Sequence, residues 1–69
     1  MSRRERQRDE LCVLCRSGAL GRAIDLAFEH FADFGRDDTL IELLARAVEG
    51  LDVSDRVRRR FAELCATTH

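Results

Sequence analysis

The chain of 69 residues has no lysine, proline, asparagine, tryptophan or tyrosine, and only three cysteines. Each gap removes an option. An odd number of cysteines argues against a closed disulfide framework. No apolar run is long enough to span a membrane, and the opening Met-Ser-Arg-Arg lacks the apolar core of a signal peptide. The expectation is an intracellular protein, cytoplasmic or nuclear, with no membrane partner. Without tryptophan or tyrosine, and with Phe61 on a core stripe, no aromatic platform is left for stacking single-stranded bases. There is no glycine-rich phosphate loop and no Ser/His/Asp order with supporting context. Cys12 and Cys15 lack the strand-then-helix setting of a redox pair. His30, between Phe28 and Phe31, reads as a core-edge residue. A chain this short also has little room for a pocket. No enzyme activity and no small-molecule substrate are expected.

All 12 basic residues are arginines. A GC-rich coding sequence produces that bias, and arginine also suits bidentate contacts to carboxylate or phosphate. The net charge of −1 is unevenly placed. Residues 1–10 carry four arginines against three acids, residues 54–69 four against two, and residues 11–53 four against eight. Basic ends on an acidic middle point to self-association or to an acidic partner. A general nucleic-acid binder is usually more basic overall.

No segment alternates as a strand does, and the apolar spacing is helical throughout. Ser2 and Glu5 have the form of a capping box. The helix they open is predicted to reach about Ser17 and to stop at Gly18. Its first half is polar and is expected to project into solvent or fray. Its second half, Leu11 to Cys15, is entirely apolar. A second helix is predicted from about Ala19 to Phe34, with Leu20, Ala23, Ile24, Ala27, Phe28, Phe31 and Phe34 on one stripe. Gly35 follows as a left-handed C′ residue. A third helix opens at Asp38 or Thr39, with Thr39 and Glu42 as a second capping box, and ends at Gly50. Ser54 caps a fourth, where Val57, Phe61, Leu64 and Cys65 share a face. The fold class is therefore all-α, a small bundle of about four short helices built on a helical hairpin. Residues 1–69 form one domain, in which residues 1–10 are polar.

The run Leu14-Cys15-x-x-Gly18-x-Leu20-x-x-Ala23-x-x-Leu26, followed by Gly35, resembles one helical hairpin of tetratricopeptide or pentatricopeptide repeats. Those repeats are protein- or RNA-binding solenoids. The resemblance covers residues 14–35 alone and lacks the closing proline, the aromatic signatures and a second copy. A solenoid needs about three repeats. The segment is read as a generic helical hairpin.

Three surfaces carry possible function. Cys12 and Cys15 form a C-x2-C pair, and Cys65 and His69 a C-x3-H pair, together the ligand set of a tetrahedral Cys3His zinc site. The alternative makes the cysteines small core residues, with no cofactor. In an up-down bundle the two pairs lie at opposite ends, so one zinc needs orthogonal packing or a second subunit. The second surface is apolar. With 45% hydrophobic residues, a small bundle does not cover all of Leu26, Phe34, Ile41 and Leu51, and an exposed patch meets another helix. The third is basic: Arg56, Arg58, Arg59 and Arg60, placed to steer an acidic partner. The expected function is a non-enzymatic protein–protein interaction or regulatory adaptor module. It docks through Phe34, Ile41 and Leu51 on another protein or on itself, as a homo-oligomer. The alternative is a dimeric nucleic-acid-binding regulator that uses the arginine-rich first and last helices, with zinc as a structural clasp.

Overall fold

Local hydrogen bonds decide where each helix starts and stops. In the computed structural model, which describes residues 2–66, four helices follow one another: α1 (Arg3–Ser17), α2 (Leu20–Phe34), α3 (Asp38–Gly50) and α4 (Asp55–Ala66). No strand occurs among the described residues. The Ser2 hydroxyl accepts the Glu5 amide at 3.2 Å and starts α1. The Ser54 hydroxyl accepts the Val57 amide at 3.3 Å and starts α4. Gly18 ends α1 in the left-handed conformation, φ 82° and ψ 6°. There the amide of Ala19 reaches back to the Leu14 carbonyl at 2.9 Å, a closure typical of helix C-termini.

Two caps differ from the expectation. The carboxylate of Asp37 accepts the Thr39 amide at 3.0 Å, so Asp37 caps α3 and Thr39 lies inside the helix. A charged carboxylate placed one position before the helix outcompetes a hydroxyl two positions later, because it also faces the positive end of the helix dipole. Gly35 has φ 88° but ψ 171°, which is extended and open essentially to glycine alone, instead of left-handed helical. The chain leaves α2 straight and turns into α3 within three residues.

α2 is the centre. It buries Leu20, Ala23, Ile24, Ala27 and Phe31 and packs against all three other helices. α3 packs against α1 and α4, whereas the backbones of α1 and α4 stay more than 8 Å apart, Cα to Cα. The two connections flanking α2 are short, so α1 and α2 are antiparallel. Arg3 pairs with Asp33 and Gln7 with His30, which fixes that register. α4 runs parallel to α2, with Arg60 beside Asp25 and Arg36 donating to the Cys65 carbonyl at 3.0 Å.

Leu11 of α1, Ile24 of α2, Leu44 of α3 and Leu64 of α4 are fully buried, each stabilising the fold by roughly 1.5–3 kcal/mol. Every helix thus contributes one large side chain to a common core, and α4 buries only Leu64 completely. The polar half of α1 does not stand away from the protein. Arg3, Gln7 and Arg8 contact Asp33, His30 and Asp37, which lie along the end of α2 and the turn after it.

Candidate functional site

An open, largely apolar surface lies where α1 borders α3. Five consecutive helical positions turn through more than a full circle, so the apolar run Leu11–Cys15 must leave part of itself facing out. Leu11 and Cys15 point into the core, Leu14 and Cys12 are half-buried, and Val13 remains 61% exposed. Glu5, Asp9, Cys12, Val13 and Arg16 recur at three- and four-residue spacing and share the outer side of α1. Two shallow grooves separate this side from α3. One, of about 400 Å³, runs from Glu5 and Asp9 to Cys12 on α1 and from Thr39 to Leu43 on α3. The other, of about 320 Å³, continues from Cys12 to Arg16 and from Leu43 to Ala47. Cys12 and Leu43 line both, so the two form one trough with these residues at its middle.

Charge is graded along the trough. Its lower half carries Glu5 and Asp9, and its one arginine, Arg8, is compensated by Asp37 at 3.7 Å. Its upper half carries Arg16 and Arg46 and no acid. The floor is apolar or thiol: Leu40, Leu43, Ala47, Cys12 and Cys15. Burial pushes the Cys15 thiol up, and the neighbouring Cys12 adds to the effect, so Cys15 stays protonated and chemically quiet.

The residues expected to form the docking face are dispersed. Phe34 is 41% exposed at the end of α2. It is already engaged, with its ring 5.1 Å from the His30 ring and the Arg3 guanidinium 5.8 Å above it. Ile41, in the first turns of α3, is half-buried against the core. Leu51 is 42% exposed at the opposite end of α3, about 15 Å from Ile41 at the helical rise of 1.5 Å per residue. Leu26 is half-buried as well. On α4, Arg60 lies over the Phe28 ring at 4.3 Å and reaches Asp25 and Glu63, both at 3.2 Å. Arg56, Arg58 and Arg59 are exposed and make no ion pair among the described residues.

Cys12 and Cys15 share one side of the trough, while Cys65 sits on α4, whose backbone stays more than 8 Å from that of α1, Cα to Cα. Among the described residues, no three of the Cys, His, Asp and Glu side chains gather to hold a metal ion. His69, the fourth expected ligand, lies outside the described residues.

His30 is deeper than a core-edge residue. It is 1% exposed, its Nδ1 lies 2.9 Å from the Gln7 Oε1, and its Nε2 is buried with no hydrogen-bond partner among the described residues. A carbonyl oxygen only accepts, so Nδ1 carries the proton and Nε2 keeps a bare lone pair. Burial lowers the pKa of His30, and the imidazole is neutral at pH 7. Gln7 lies 23 residues away, so nothing near His30 in the chain announces this contact.

Comparison with known protein families, curated proteins and solved structures finds no match to this chain. No helix among the described residues is long and apolar enough to cross a membrane.

Proposed function

We propose that this chain is a non-enzymatic protein-interaction module, an adaptor or regulator that self-associates through an apolar helix face. The observation that carries the reading is the apolar floor of the α1/α3 trough, Leu40, Leu43, Ala47 and Cys12, on a protein whose α1 also leaves Val13 61% exposed. An open apolar floor gains from a second surface laid over it. The chemistry of the protein supports the same reading. The two groups with displaced proton affinity that bear on catalysis, His30 and Cys15, are both buried and both held neutral. On α4, Arg56, Arg58 and Arg59, which make no ion pair among the described residues, carry positive charge that attracts an acidic partner.

The test is sedimentation equilibrium over a wide concentration range, at low and at physiological salt. A mass that rises toward two chains, with weak salt dependence, supports the reading. A single-chain mass at the highest concentration, together with no binding of an apolar-surface dye, removes it.

A second reading, a dimeric nucleic-acid-binding regulator, is favoured by Arg56, Arg58 and Arg59, exposed on one helix and without an ion pair among the described residues. Phosphate contacts release counterions, so such binding falls steeply with salt. A duplex shift at low salt that disappears when Arg58 and Arg59 become alanine supports this second reading. No shift at low salt eliminates it.

A further inference from the structure

We propose that the α1/α3 face is the surface on which a second copy of this chain docks, antiparallel, about a two-fold axis at the level of Cys12 and Leu43. The proposal rests on the self-association reading above and gives it a location and a symmetry.

The argument is one of self-complementarity. In a two-fold dimer the same patch meets itself, so any residue on the axis meets its own copy and residues on either side exchange partners. α1 and α3 run in the same direction along the trough, since Glu5 lies beside Thr39 and Arg16 beside Arg46. Face-to-face pairing leaves two extreme arrangements. With the axis along the helices, the acidic half of one copy lies on the acidic half of the other. With the axis across them, the trough is inverted: α1 lies on the partner's α1, so Glu5 and Asp9 of one copy face Arg16 of its partner, Arg8 at the same level being held by Asp37, and Arg46 lies over Leu40 of the partner. Only the second pairs opposite charges, and it does so on both sides of the axis. It also places the half-buried Cys12 and Leu43 against their own copies. Like-charge juxtaposition at an interface is costly, so charge selects the antiparallel arrangement.

The other trough beside α1, lined with Glu10, Asp25 and Glu29 against the single Arg22, is acidic along its length and repels its own copy. The α1/α3 face is two helices wide and about 22 Å long, roughly 500 Å² per partner at helix diameters of 10–12 Å. A total of about 1,000 Å² lies at the lower bound for a specific interface, so the dimer is weak and forms at high protein concentration.

The experiment uses the full chain and two charge reversals, Asp9→Arg and Arg16→Glu. Both sites are exposed, and circular dichroism checks that each variant keeps its helicity. Arg16→Asp replaces Arg16→Glu if the latter does not fold. Sedimentation equilibrium of each variant alone is expected to show at least a tenfold weaker dimer, because arginine then faces arginine, or glutamate faces aspartate. An equimolar mixture is expected to recover dimerisation, since the reversed charges pair across the heterodimer. A bismaleimide reagent short enough to join thiols at the axis is expected to cross-link wild type and Cys65→Ser but not Cys12→Ser. If wild type dimerises and both reversals dimerise equally well, the α1/α3 location is wrong while the self-association reading survives. If wild type is monomeric throughout, both fall together.

Discussion

Lowering the pH from 7.5 to 5.5 is expected to destabilise this protein through His30. The ring is 1% exposed, with Nδ1 satisfied by Gln7 and Nε2 enclosed without a partner among the described residues. Protonation places a charge and a new donor where nothing accepts it. Burial is the main cause of the lowered pKa. Arg4 and Arg8 lower it further, while Asp37 and Asp33 act the other way. The direction of the stability change follows from linkage. The unfolded chain titrates near the ordinary 6.5 and takes up the proton first. Stability is therefore complete above about 6.5 and is lost as the pH falls from there toward the folded-state pKa. If His30 stays neutral in the fold throughout, the loss between pH 7.5 and 5.5 is about 1.4 kcal/mol, the free energy of one proton over one pH unit. For a domain of this size that lowers Tm by roughly 6–11 °C. Thermal melts followed by circular dichroism at both pH values measure it. His30→Gln is expected to be less stable at pH 7.5 and to lose the pH dependence over this window. Equal Tm values for wild type at the two pH values refute the reasoning, as does an unchanged pH dependence in the variant.

Leu64→Ala empties the one fully buried position of α4. It is expected to cost about 3 kcal/mol, within the range of buried leucine truncations, and to lower Tm by about 12–24 °C; hydrogen exchange should show α4 losing protection first. Asp37→Ala removes both the α3 cap and the carboxylate opposite Arg8. A loss of about 1 kcal/mol, read from a urea midpoint, is expected for the cap. Since Cys12, Cys15 and Cys65 do not gather into a ligand group among the described residues, adding a chelator is expected to leave the helical signal unchanged. One zinc per two chains, with helix loss on chelation, would instead place a metal between subunits.

Much of this protein is set by interactions within four or five residues, and those are legible in the chain. Ser2, Gly18 and Ser54 bound their helices because a cap hydrogen bond or a left-handed glycine acts on its immediate neighbours. The stripe Leu20-Ala23-Ile24-Ala27-Phe31 is the core because helical periodicity puts those residues on one side. The all-α class follows from the same local rules. Tertiary structure decided what each exposed or half-exposed residue meets. Phe34 continues the α2 stripe, yet it lies at the helix end, partly exposed, against His30 and Arg3. His30 is buried because Gln7 and Phe34 close over it, and Gln7 comes from another helix. Arg60 is clamped by Asp25 while Arg58 and Arg59 are not, a distinction that four neighbouring arginines do not display in sequence. The apolar run Leu11–Cys15 requires that something face outward. That Cys12 meets Leu43, with acids at one end of the trough and arginines at the other, arises only when α1 and α3 are laid side by side. Local preference depends on neighbours in the chain, whereas a surface depends on which helices packing brings together.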